Sequence, residues 1–286
     1  MEIKTVNCLS IDVEGFVESN HESFPIDGKY LDTKRENEEI EKNMEAVFRL
    51  LSECRVRATF FFLGRVARDL PHLVKQAAGL GHEIGSHSFE HRRVFGLNRQ
   101  EFKEKLRASK EFLESLTGRP VYGFRAPDFS ITKDSLWALD VLKELGFAYD
   151  SSIYPIGLHD VYGIASSPRS IHRLPNGLVE FPLPTFQFLG RRLPFGGGGY
   201  FRLYPLFVTH RALLAENGNK RPAMFYIHPY EVGPVIPKIA ELSGYRKFRH
   251  YYNCGTGYAR LKKLLSWHRF SPAVEVLKQQ DFWEGN

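Results

Sequence analysis

Residues 58–91 read ATFFFLGRVARDLPHLVKQAAGLGHEIGSHSFEH. Ala58 to Leu63 is a short, mostly apolar run with the β-branched Thr59, too short for a helix and rich in aromatics, which predicts a buried strand. Val66 to Ala78 then places apolar residues at helical spacing, and Glu83-Ile84-Gly85 is a second short strand before a turn carrying His87 and His91. Strand, helix, strand in one short span is the unit of a parallel sheet.

The alternation extends both ways. Val6 to Ile11 predicts a strand, and Ile40, Met44, Val47, Phe48 and Leu51 recur helically within Glu38 to Leu51. Downstream come a helix over Phe102 to Leu116 closed by Gly118, a strand at Val121 to Phe124, a helix over Lys133 to Leu145 capped by Gly146, and an extended Phe147 to Asp150. This is an α/β chain, built as an open sheet or a barrel.

Residues 151–203 are broken by prolines and by Gly196 to Gly199, and predict an elaborated loop region with short strands such as Leu178 to Phe181. The glycine run precedes Tyr200-Phe201, not the Lys-Ser/Thr of a phosphate-binding loop, so it reads as a flexible segment. Pro205 to Glu216 predicts a helix, Ala223 to His228 a buried strand, and Tyr258 to Trp267 a basic helix.

With 43% hydrophobic and 25% charged residues the chain has ordinary globular usage. Its net charge of +6 is concentrated: Arg246, Lys247, Arg249, Arg260, Lys262, Lys263 and Arg269 lie between Leu242 and Val274 with no acid among them. Such a zone is either a solvated face or a contact for phosphate or anionic lipid. No nucleic-acid motif accompanies it, so no nucleic-acid partner is expected. Cys8, Cys54 and Cys254 form neither a metal knuckle nor a disulfide framework, and Met1-Glu2-Ile3-Lys4 lacks a secretory layout. The expected location is the cytoplasm, peripheral to the inner membrane if the basic zone meets lipid.

Residues able to do chemistry gather at the predicted strand ends, where barrel active sites form. Asp12 and Glu14, two apart, point to the same side of the first strand. His87 and His91 would share one side if their segment turned helical, and with one carboxylate they make three metal ligands, leaving a position for water. Arg125 reads either as a surface ion pair or as a clamp on a catalytic carboxylate, and His228 as a buried histidine or a proton donor.

In order along the chain, Ile11-Asp12-Val13-Glu14, Ser86-His87-Ser88-Phe89-Glu90-His91, Arg125-Ala126-Pro127 and Ile227-His228-Pro229 closely resemble the motifs of the polysaccharide deacetylases of the NodB-homology group, carbohydrate esterase family 4. Gly197 to Arg202, Tyr226 to Glu231 and Phe248 to Asn253 resemble the subgroup found beside exopolysaccharide and exosortase genes. The resemblance implies an irregular (β/α)7-type barrel in a single domain of residues 1–286, with a catalytic core over about 5–230 and a C-terminal extension over 231–286. It further implies Asp12 as general base, Glu14, His87 and His91 as ligands of a divalent ion, expected to be zinc, Arg125 as the residue orienting Asp12, and His228 as general acid. Asp150 would support Arg125 or the metal site, and Pro127, Asp128 and Phe129 would face the substrate. Two departures stand out: Val13 occupies the place of a second adjacent aspartate, and Asp128 that of an aromatic residue.

The implied reaction is hydrolysis of the N-acetyl group of an amino sugar in a polysaccharide or its lipid-linked precursor. Asp12 deprotonates a water activated by the metal, a backbone N–H near Asp128 or Phe129 helps hold the oxyanion, and His228 protonates the leaving amine. Rival readings are a non-catalytic carbohydrate-binding barrel and a deacylase of a small, non-polymeric amide.

Overall fold

The strands predicted around residues 58–91 pair in parallel in a computed structural model that describes residues 5–23, 26–157, 159 and 161–283. The expectation drawn from Met1 to Lys4 lies outside the described residues. In chain order the strands are β1 (Val6–Val13), β2 (Thr59–Phe62), β3 (Glu83–Ser86), β4 (Gly123–Phe124), β5 (Tyr149–Asp150), β6 (His172–Arg173), β7 (Val179–Glu180), β8 (Thr185–Phe188), β9 (Arg191–Pro194), β10 (Met224–Ile227) and β11 (Arg269–Ser271). A parallel wall runs β10-β1-β2-β3-β4-β5-β7, with β6 antiparallel on β7 and β11 parallel on β1. The β8–β9 hairpin stands apart from it.

The wall curls into the expected irregular barrel, and the closure is not a ladder of regular strands. Beyond β7, the N–H of Leu183 donates to the Ile153 carbonyl, that of Phe195 to Pro184, and that of Tyr226 on β10 to Gly196 at 2.7 Å. Gly197 bridges Tyr226 in parallel. Thus the glycine run, expected to be a flexible loop, is the seam of the barrel. Its composition is set by closeness: Gly197 sits at φ 135°, and a Cβ there would fall 1.7 Å from the Tyr226 carbonyl oxygen. From Gly198 to Leu203 the chain is already helical.

Period-two alternation divides β1 between two apolar layers. Leu9, Ile11 and Val13 pack outward with the buried face of the helix Thr33–Cys54 and with Phe60 and Phe62. Cys8, on the other face, joins Phe61, Tyr149, Met224 and Tyr226. Polar Ser10, Asp12 and Glu14, all buried, continue that inner face toward the strand's C-terminal end. At about 25 cal/mol per Å² of apolar surface, these two layers are the main force holding the wall in place.

Elsewhere the predicted helices form with altered bounds. The helix expected over Val66 to Ala78 is two, Gly64–Asp69 and Pro71–Gly79, because Pro71 lacks the N–H that would continue the first and starts the second at a favoured position. Lys133 to Leu145 likewise begins as a 3-10 turn, Lys133–Ser135, before the α-helix Trp137–Glu144. Among the described residues no helix is long and apolar enough to cross a membrane.

Candidate active site

Asp12, Glu14, His87, His91, Asp128, Phe129 and His228 all line one cavity of about 440 Å³ at the C-terminal ends of the strands. Its centre is the cluster Glu14, His87 and His91, whose candidate ligand atoms lie within 4.8 Å of one another and are buried. The two histidines do not meet through a helical turn as expected. Residues 87–91 form an irregular bend with Ser88 at φ 72°. The bend is held from outside: the Ser88 and Phe89 carbonyls accept the Gly64 and Arg65 N–H groups, and Ser109 Oγ donates to the Ser88 carbonyl. Gly64 permits this approach, since a Cβ there would lie 2.6 Å from the Phe89 ring.

The donor set fits a cation. His87 Nδ1 lies 2.8 Å from the main-chain carbonyl of Arg125, which can only accept, so Nδ1 carries a proton and the Nε2 lone pair of a neutral ring faces Glu14 Oε2 at 2.9 Å. Two acceptors opposed at that distance need a shared cation or an added proton between them. His91 Nε2 is 3.3 Å from the same oxygen. Glu14 Oε2 and His91 Nδ1 are buried without a directed hydrogen bond. With a proton in the place of a metal ion on the imidazoles, burial would raise the Glu14 carboxyl, but His91, His87 and His228 outweigh it and hold the group down at about 2. Two imidazoles and a carboxylate leave an open position on a tetrahedral ion.

Asp12 is held from behind. The wholly buried Arg125 donates from Nη1 to Asp12 Oδ1 and to Ser10 Oγ, each at 2.7 Å, and from Nε and Nη2 to the carbonyl and hydroxyl of Ser151. Its guanidinium lies over the Phe61 ring, 4.4 Å from the centroid. Asp150 sits one layer deeper, away from the cavity lining. It accepts from the Ser152 hydroxyl at 2.6 Å, and Ser152 in turn takes up the Ala126 N–H beside Arg125. Asp128 accepts from Arg93 at 2.7 Å, Phe129 packs edge-on against Tyr154, Tyr162 and Tyr226, and Pro127 is buried outside the lining. The Phe129 N–H is already donated to the Ala126 carbonyl, which narrows the expected oxyanion donor to Asp128.

His228 ends β10 with Nε2 3.3 Å from Glu14 Oε1 and Nδ1 2.9 Å from Glu231 Oε2. Burial alone would depress this imidazole; the Glu231 carboxylate, with Glu14 and Asp12 beyond it, outweighs burial and lifts it to about 9. Glu231 is gripped by Arg202, whose Nε donates at 2.7 Å and whose Nη1 donates to the carbonyls of Arg249, His250 and Tyr252. Sequence reasoning passed over Glu231 and Arg202. A signal was present for the first: Pro at the start of a helix and Glu three residues after His228 is capping-box spacing, and the His228 main-chain N–H donates to Glu231 Oε2 at 3.1 Å. For Arg202, 29 residues before its partner, the sequence holds no local sign.

Residues 30–149 match the family model described as "Polysaccharide deacetylase", and residues 151–278 one described as a domain of unknown function, DUF3473. The boundary between them crosses the continuous sheet between β5 and β7. The chain is 26% identical over 176 residues to a peptidoglycan-N-acetylglucosamine deacetylase of Bacillus cereus, an alignment covering 56% of this chain and 62% of that protein. It therefore spans less than two thirds of that relative's length. In fold it is similar to PuuE allantoinase, with TM-score 0.63, 14% identity, and 98% and 91% of the two chains covered. It is also similar to a CE4 family pseudoenzyme from Bacillus anthracis, with TM-score 0.51, 12% identity, and 96% and 66% covered. Residues 30–149 are thus similar to polysaccharide deacetylases of the NodB-homology group, and residues 151–278 complete the chain as a DUF3473 region.

Proposed function

We propose that this chain hydrolyses the N-acetyl group of an amino sugar in a polysaccharide or its lipid-linked precursor, with zinc held by Glu14, His87 and His91. One observation carries the reading: the three donors share a single cavity with a carboxylate clamped by Arg125 and a histidine clamped by Glu231. A divalent ion bound there would acidify a water and polarise the acetamide carbonyl. Asp12, kept an acceptor by the Arg125 guanidinium at 2.7 Å, takes the water's proton. His228, its Nδ1–H directed at Glu231, presents Nε2–H to the departing amine, so that acetate and a free amino sugar leave.

Fold alone does not decide this, since the same architecture houses a pseudoenzyme and an allantoinase. The non-catalytic reading is not favoured, because binding a sugar requires neither a buried arginine on Asp12 nor a carboxylate holding His228. Action in the cytoplasm belongs to the same proposal, supported by three free cysteines.

Elemental analysis for bound metal, paired with acetate release from N-acetylated oligosaccharides, tests the proposal on the wild type and on His87→Ala. One equivalent of metal and measurable acetate, both lost in the variant, is the expected result. A folded wild-type chain without metal affinity or acetate release on neutral or charged sugars overturns it.

A further inference from the structure

The basic zone of the C-terminal region divides in the folded chain. Arg260 donates to the carbonyls of Phe201 and Tyr204, Lys262 pairs with Glu53, and Lys263 lies over the Trp267 ring. Arg260 is thereby turned inward, while Lys262 and Lys263 stay exposed beside their partners. Arg246 and Arg249 differ. They lie three residues apart on the helix Gly244–Tyr251, both are exposed, and both line the active-site cavity.

The other acidic side chains described around that cavity have partners. Asp12 is paired with Arg125, Glu14 with its histidines, Glu22 and Asp128 with Arg93, and Glu231 with Arg202 and His228. Among the described residues no carboxylate of the lining contacts Arg246 or Arg249, and neither side chain makes a hydrogen bond or ion pair. Two like charges at i and i+3 repel each other on one helix face. Nearby His250 is driven down to about 4 by burial and by Arg249, Arg202 and Arg246, so it adds no third positive charge there. The mouth therefore presents two guanidiniums without a partner among the described residues beside the candidate metal ligands, and paired guanidiniums suit the oxygens of a phosphate or carboxylate. At about 440 Å³ the cavity lies within the range of small-ligand sites, roughly 300–1,000 Å³, enough for a sugar ring and a neighbouring anionic group.

Resting on the deacetylase reading, we propose that Arg246 and Arg249 form an oxyanion subsite and that the substrate is an N-acetylamino sugar bearing an anionic group next to the reacting ring. The oxyanion has two chemical sources, a glycosyl diphosphate or the carboxylate of an adjoining uronic acid.

Titration calorimetry distinguishes them. UDP-N-acetylglucosamine, a glucuronate-containing N-acetylated disaccharide and uncharged diacetylchitobiose are compared on the metal-loaded His228→Gln chain, which does not consume them. The same series is run with Arg246→Ala/Arg249→Ala and with Arg246→Lys/Arg249→Lys added. At least tenfold tighter binding of one anionic sugar than of the neutral one is expected, with the ratio falling to about one in the alanine pair and retained in part by the lysine pair. Tighter binding of the nucleotide sugar assigns the diphosphate, and of the disaccharide the uronate. Equal binding of all three sugars, or a preference that survives the alanine pair, overturns the subsite. Acetate release by the wild type is scored separately: an oxyanion preference without acetate sinks the deacetylase reading alone, and acetate without the preference sinks the subsite alone.

Discussion

The two halves of the barrel build their parts of the site by different means. Up to Asp150, each candidate residue stands at or just past the end of a regular strand, with apolar alternation behind it and a helix between one strand and the next. After residue 151 the chain holds its residues through single long-range bonds: a glycine against a carbonyl, and an arginine threaded between Glu231 and three carbonyls. The first half is specified by pattern, which many residues share; the second is specified by contacts that one substitution removes.

That contrast can be broken at its strongest point by Asp12→Asn. The strand around it should hold, so metal content and melting temperature should stay close to wild type while turnover falls by about 10³-fold, the scale of losing a general base. Parallel loss of metal would mean that Asp12 is a ligand and that the two carboxylates of β1 have no separate roles. In the second half, Gly197→Ala should act on the fold first. With φ at 135° and 1.7 Å between the new Cβ and the Tyr226 carbonyl, a loss of about 3 kcal/mol in urea unfolding is expected. A loss under 1 kcal/mol would mean that the seam yields easily. The smallest effect, about 10- to 100-fold in turnover, is expected for Glu231→Gln, which keeps a hydrogen-bond acceptor beside His228 but removes its charge. If His228→Ala were no worse than Glu231→Gln, the histidine would not be the proton donor.

Much of the first half was legible because burial and chemistry alternate with the same period. Asp12 and Glu14 share a face since Val13 must point to the core, and any reading of β1 as a strand delivers them together. The convergence of His87 and His91 was legible as spacing but not as mechanism, because the bend is imposed by the N–H groups of Gly64 and Arg65, outside the motif. Gly196 to Gly199 looked loose for a similar reason. A run of glycines is compatible with freedom and with extreme closeness, and only the partner strand decides between them. The basic zone was legible as charge but not as contacts: Arg260 turns inward onto carbonyls, while Arg246 and Arg249 reach the cavity.

Strand β1 has consequences for how the molecule is assembled. Its central position is filled early by β2, but its other neighbours, β10 and β11, arrive more than 200 residues later. A nascent chain emerging from the ribosome at residue 200 thus displays every candidate metal ligand and Asp12 while one edge of β1 still has open N–H and carbonyl groups. Parallel pairing across such a separation is slow, because loop closure must precede any reward from the contact. His228, the proposed proton donor, enters with the strand that covers that edge. Completion of the reactive centre and protection of the sheet against self-association are one late folding event.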